Sequence, residues 1–190
     1  MTDIVAEIEQ DHVNMAKLLW ALEYQVSVFE RGERPDYDVI QGVVAYFLDY
    51  PDLCHHPKED LVARRLMEKK PALAGALGGL AEQHEELSQL ARRFAEVVRS
   101  VLDEAELSRD FFVRAASEFI ESQRRHMAME EEHFLPVARE ALSEDDVAAL
   151  GEAMVVREDP VFGAKTEDRY DSLKDAVLKW EREDEQLDRK

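Results

Sequence analysis

The sequence of 190 residues has few of the residues that interrupt helices or cross-link chains: seven glycines, six prolines and one cysteine. A single cysteine excludes an internal disulfide, and scarce glycine and proline permit long helices. No run of 18 or more apolar residues occurs, so we expect no membrane-spanning helix. The first residues, MTDIVAEIEQDH, lack the basic and apolar regions of a signal peptide, and we expect a cytoplasmic protein.

Basic residues are also scarce, with 24 Lys and Arg against 43 Asp and Glu, which gives a formal net charge of −19. A field of this sign repels nucleic-acid phosphates and anionic membrane surfaces, and it attracts cations. We therefore expect neither nucleic acid nor a membrane among the partners.

Apolar residues recur at steps of three and four along most of the chain, and this period predicts an all-α protein. Four long helical segments are predicted, at residues 3–31, 36–70, 71–104 and 108–142. Their short connections favour an up-down-up-down four-helix bundle. Two extra helices, at 143–157 and 167–187, follow it. We therefore divide the chain into a bundle, 1–142, and a C-terminal extension, 143–190, packed on the bundle or on a partner.

Local signals place several helix ends and one interruption. Gly32 is a stop signal for the first segment, and Ser108 and Ser143 are suitable N-cap residues. Pro51 and Pro57 interrupt the second segment. We expect a kink around residues 50–53, with Pro57 in the first turn of the resumed helix.

Each long segment carries a histidine in register with its apolar residues, and two of these histidines have a glutamate one turn later. Four series of residues show this register, with successive members three, four or seven positions apart: Ile8, His12, Met15 and Leu19; His55, Glu59, Val62 and Leu66; Leu77, Leu80, His84 and Leu87; and Phe119, His126, Glu130 and Val137.

One histidine on an apolar face is most simply a hydrogen-bonded core residue, but this explanation fits four histidines and two glutamates poorly. A buried carboxylate without a partner is costly, and a cation removes that cost. Imidazole and carboxylate suit Fe, Mn or Zn, and bundle interiors commonly hold such sites. The predicted metal ligands are His12, His55, Glu59, His84, His126 and Glu130.

The order H–HxxxE–H–HxxxE over about residues 5–140 resembles the hemerythrin-like (HHE cation-binding) family. Oxygen-carrying hemerythrins have an HxxxH pair on the third helix and HxxxxD on the fourth, whereas this chain has Leu80 and Glu130 there. It is thus similar to the branch with four His and two Glu, which includes nitric-oxide-responsive, iron-sensing, iron–sulfur repair and catalase-like proteins.

The resemblance implies two iron ions, oxo- or hydroxo-bridged, with Zn or Mn as substitutes in recombinant protein. If both glutamates bridge, each ion receives two histidines and keeps an open position for O2, NO or H2O2. No acid–base residue is identifiable, so whether the protein is an enzyme stays open.

Two alternatives remain. In a ferritin-like di-iron carboxylate protein, the ExxH pairs Glu9/His12 and Glu130/His133 would be ligands. In an iron-responsive interaction module, the C-terminal helices would signal to a protein partner or join a dimer. His56 is expected at the surface or just outside the ligands. Cys54 is expected to be a small buried residue, and a contact of Tyr50 with the site is left open.

Overall fold

The computed structural model describes residues 3–73, 79–103, 108–154 and 157–187, and among these there are helices and no strands. The predicted all-α class is confirmed. The helices are α1 Ile4–Glu30, α2 Tyr37–Tyr50, α3 His56–Lys69, α4 Leu80–Leu102, α5 Arg109–Met129, α6 Leu135–Ala141, α7 Glu144–Ala153 and α8 Asp171–Leu187. Two π-helical turns, Pro51–His55 and Glu130–Phe134, and two 3₁₀ turns, Pro71–Leu73 and Asp168–Tyr170, complete the description.

Several predicted helix ends are confirmed, but the third predicted helix, 71–104, is α-helical only over Leu80–Leu102; residues 71–73 form a 3₁₀ turn, and 74–78 and 104 lie outside the described residues. Gly32 follows α1 with a φ of 83°, a left-handed conformation that glycine adopts easily. The Ser108 side chain accepts a hydrogen bond from the Phe111 N–H, and Ser143 forms a capping box with Asp146. The fifth predicted helix is shorter than expected, because α7 ends at Ala153.

The long helices form a closed ring. Helix α1 contacts α2, α2 contacts α4, α4 contacts α5, and α5 returns to α1. In this order each of the four long helical segments touches the next one along the chain, as the short connections of an up-down-up-down bundle require. The predicted four-helix bundle is therefore confirmed.

The bundle interior consists of two apolar clusters with a polar layer between them. One cluster is rich in aromatic rings, among them Phe47, Phe94 and Phe119. The other holds the aliphatic start of α1 together with residues such as Leu66 and Phe134. All four long helical segments contribute to both clusters, so each must pass through the layer between them.

Each π turn ends two residues before a proline. The His56 N–H bonds the carbonyl of Pro51, and the Leu135 N–H bonds the carbonyl of Glu130. These bonds reach five residues back instead of four, and proline has no N–H to continue the α-helical pattern. The interruption predicted in the second segment thus lies at Pro51–His55, with Pro57 in the first turn of α3. The turn Glu130–Phe134 was not predicted.

Helices α7 and α8 and the 3₁₀ turn before α8 pack against the bundle. Leu150 of α7 joins the aliphatic cluster, and Tyr170, Leu173 and Val177 join the aromatic one. Trp180 stacks on Trp20 with ring centroids 4.2 Å apart. In the described part of the chain, no helix combines the length and hydrophobicity that crossing a bilayer requires.

Candidate metal centre

All six predicted ligands lie in the polar layer, and all are buried: Glu59 and Glu130 are 0% exposed, and the four histidines between 0% and 6%. His12 comes from α1, His55 from the first π turn and Glu59 from α3. His84 comes from α4, His126 from α5 and Glu130 from the second π turn. The structure brings together every side chain that the spacing selected.

Each carboxylate directs one oxygen to each side of the site. Glu59 Oε1 is 3.0 Å from His55 Nε2, and Glu59 Oε2 is 3.2 Å from His84 Nε2. Glu130 Oε2 is 3.3 Å from His12 Nε2, and Glu130 Oε1 is 3.3 Å from His126 Nε2. Both glutamates therefore stand between a pair formed by His12 and His55 and a pair formed by His84 and His126, as bridging ligands would.

The outer nitrogen of each of these imidazoles faces an oxygen. Hydrogen-bonding distances run from Nδ1 to Glu131 for His12 (3.3 Å), to Asp11 for His55 (3.1 Å) and to Gln83 for His126 (3.3 Å). His84 Nδ1 lies 3.4 Å from Asp60. A donor bond from Nδ1 fixes the tautomer that leaves Nε2 free to bind a metal, and metal-ligating histidines almost always have such a partner.

Asp11 has the most extensive of these supporting contacts. Its carboxylate accepts bonds from Lys58 Nζ (2.8 Å) and the Tyr50 hydroxyl (3.1 Å) as well as facing His55. Sequence patterns did not identify this group. Asp11 is polar and adjoins His12, but nothing in its spacing distinguishes it from a surface acid of an acidic protein.

The electrostatics of the layer favour positive charge on three of the histidines. Burial alone lowers a histidine pKa, but nearby Glu59 and Glu130 raise the pKa of His12 and that of His84 to about 9. Glu59 and Asp11 likewise outweigh burial and raise the pKa of His55 to about 10. The pKa of Glu59 falls well below its usual value, because the attraction of the surrounding imidazoles overcomes its desolvation. Carboxylates at this site therefore need cationic partners.

The effect of burial dominates at His126, whose pKa falls to about 4. The neighbouring imidazoles of His84 and His56 add to this lowering. This ring is consequently neutral at pH 7, the state in which it can bind a metal.

A metal ion fits the donor set. The inward nitrogens of the four histidines and both oxygens of each glutamate are buried without a properly directed hydrogen bond. Such groups are costly unless something else satisfies them, and a cation coordinated by imidazole and carboxylate does so. Two overlapping groups have ligand atoms within 4.8 Å of one another: His12, His55, Glu59 and Glu130, and His56, Glu59, His84 and His126.

Comparison with protein families agrees with this geometry. A family model, the hemerythrin HHE cation binding domain, matches residues 3–138, well over half of the chain. The chain belongs to this family. No curated protein and no solved structure matches it. The hemerythrin HHE domain is a helical cation-binding unit, and here its span covers the bundle and all six predicted ligands.

The ferritin-like alternative requires Glu9 and His133 as ligands, and both lie outside the centre. His133 is 69% exposed, and its nearest carboxylate is that of exposed Glu132, 4.0 Å away. Glu9 binds Arg139 on the surface of the HHE domain. The ExxH pairs therefore contribute only His12 and Glu130 to the centre.

Three further residues occupy distinct places around the centre. Cys54 is buried in the aromatic cluster, as expected of a small apolar side chain. Tyr50 reaches the centre through Asp11. His56 is only 5% exposed, so it does not lie at the surface. It lies beside the six predicted ligands, with its ring stacked on that of His84, which is the second of the two places expected for it.

Proposed function

We propose that this protein is a non-haem di-iron protein that binds O2 or NO, or reacts with peroxide, at the centre formed by the six predicted ligands. The observation that carries the proposal is the placement of Glu59 and Glu130, each with one oxygen toward either pair of histidines. Such an arrangement suits two ions that share both carboxylates. The family match supports metal binding.

The protein residues have distinct tasks in this proposal. Neutral imidazoles and the two carboxylates would hold iron, which supplies redox chemistry and a position for a small ligand. Asp11 orients His55, and Lys58 balances the charge of Asp11. The apolar clusters above and below the layer exclude bulk water from the carboxylates.

A groove between α4 and α5 leads toward the centre. It encloses about 440 Å³, and Gln83, Ser122 and His126 are among its lining residues. Because His126 belongs both to the groove and to the site, we assign the groove as the route by which a small molecule reaches the metals.

The test is anaerobic loading with Fe(II), followed by metal analysis and ultraviolet–visible spectra before and after O2, NO and H2O2. We expect two iron ions per chain and a charge-transfer band in the blue to near-ultraviolet after oxidation. Substitution of both bridging carboxylates, Glu59→Ala with Glu130→Ala, is expected to abolish both signals. The exposed substitution His133→Ala is the matched control and is expected to change neither.

Protein that takes up no iron, or that binds iron but shows no spectral response to any of the three molecules, would contradict the proposal. Evolution of O2 from peroxide by wild-type protein, lost in the double variant, would favour peroxide chemistry over reversible binding.

A further inference from the structure

His56 is a buried histidine without a place in the six-ligand set. Its ring lies parallel to that of His84, with centroids 4.1 Å apart, and edge-on to that of His126 at 6.1 Å. Its Nδ1 is 3.1 Å from Asp52 Oδ1, and the Ser88 hydroxyl also donates to this oxygen. Its Nε2 is buried and has no hydrogen-bond partner.

These features match those of the proposed ligands. In His12, His55 and His126, as in His56, an oxygen faces Nδ1 while Nε2 is buried and unpartnered. Exposed His133 has neither feature. A histidine whose outer nitrogen is held by a carboxylate and whose inner nitrogen is left free is arranged for metal coordination.

The distances allow one ion to contact His56 together with its neighbours. The ligand atoms of His56, Glu59, His84 and His126 all lie within 4.8 Å of one another. Metal–nitrogen bonds of about 2.1 Å put opposite ligands roughly 4.2 Å apart and adjacent ones about 3 Å apart. Small side-chain adjustments therefore suffice for one ion to bind all four.

A purely structural role, in which His56 only supports the ring of His84, would leave its Nε2 buried and unsatisfied. Burial of a polar atom without a partner is unfavourable, and a metal bond removes the cost. The contact with Asp52 accounts for Nδ1 only and leaves Nε2 without a partner.

We propose that His56 is a fifth histidine ligand, so that one metal is held by His56, His84 and His126 and the other by His12 and His55. This inference rests on the proposed di-iron centre. It makes the two metals chemically different, because the metal with two histidines keeps more open coordination positions.

The decisive variant is His56→Phe, which keeps a ring stacked on His84 but removes both nitrogens. His56→Gln, smaller and polar, serves as a second variant, and His133→Ala is the control. Circular dichroism of the chelator-treated proteins establishes that each is folded. Anaerobic Fe(II) titration against a colorimetric chelator then gives stoichiometry and affinity, and Mössbauer spectra of ⁵⁷Fe-loaded protein report each iron separately.

We expect two distinct iron environments in wild-type protein. In either folded His56 variant, affinity for one of the two ions should fall at least tenfold and one Mössbauer doublet should change, while His133→Ala leaves both unchanged. Variants that bind two irons with wild-type affinity and spectra would overturn the role of His56. Wild-type protein that binds no iron would overturn the di-iron proposal itself, which is a different result.

Discussion

Metal loading should release about three protons per chain at pH 7. The pKa values of His12 and His84 are raised to about 9, and that of His55 to about 10. All three rings are therefore almost fully protonated at pH 7 before metal binds. Coordination requires the neutral imidazole, so each must lose its proton. His126, with its pKa lowered to about 4, contributes none.

The pH dependence of binding follows from the same values. Three protons released over both binding steps weaken metal loading by about 4 kcal/mol for each unit that the pH falls below the histidine pKa values. At pH 9 the two rings with pKa values near 9 are half deprotonated, so release should fall to about two protons.

The assay is isothermal titration calorimetry with Zn(II), which avoids oxidation, in buffers of different ionisation enthalpy. The slope of the observed heat against buffer enthalpy gives the number of protons. His12→Ala should reduce the slope at pH 7 by about one, and His133→Ala should leave it unchanged. A slope near zero at pH 7, or one that does not fall between pH 7 and pH 9, would refute the reasoning.

Four further predictions concern stability. The same three histidines stabilise chelator-treated protein when they are protonated, and this stabilisation is complete at pH values below their unfolded pKa of about 6.5. The melting temperature of that protein should therefore fall as pH rises toward 10, and a melting temperature that rises would contradict this. Phe119→Ala should cost about 3–5 kcal/mol in urea unfolding, because it opens a cavity in the aromatic cluster, yet leave metal stoichiometry intact; lost stoichiometry would link the cluster to the centre. Gly42→Val should cost about 1–3 kcal/mol and disturb near-ultraviolet circular dichroism, since a Cβ there would lie 3.1 Å from Leu173 Cβ; an unchanged melt would show that α8 shifts freely. In metal-loaded protein, in which His55 is neutral, Lys58→Met should cost about 3 kcal/mol by leaving buried Asp11 without a cationic partner, whereas Lys58→Arg should cost less; equal losses would exclude a charge effect.

Regular helical periodicity accounts for what the sequence predicted well. His12, His84 and His126 lie within regular α-helices, where steps of three and four identify the buried face. The same rule identified the residues through which the helices of the bundle pack, since each long helix buries one stripe of side chains. The glutamates followed because they stand one turn from a histidine.

Prediction from sequence was incomplete where the helical period changes and where a loop enters the core. Helical periodicity gave no signal for the π turn Glu130–Phe134, and it left the place of His56 open between the surface and the border of the ligands. Asp159 lies in a connector, yet it is buried and accepts bonds from the Tyr46 hydroxyl and from the N–H groups of Val161 and Phe162. Long-range contacts of this kind depend on the packed structure, and local sequence carries no pattern for them.

The two π turns also fix the number of residues that the ligand motifs can contain. A bond to the fifth residue back, instead of the fourth, accommodates one extra residue in the helix without unfolding it. If the same number of residues formed a regular α-helix instead, everything beyond each turn would be rotated by about 100°. In the first turn that rotation would carry Glu59 out of alignment with the histidines of the other helices, whereas many point substitutions nearby would leave the alignment intact. In this protein, the length of the helix at each proline is as much a part of the metal centre as the identity of its ligands.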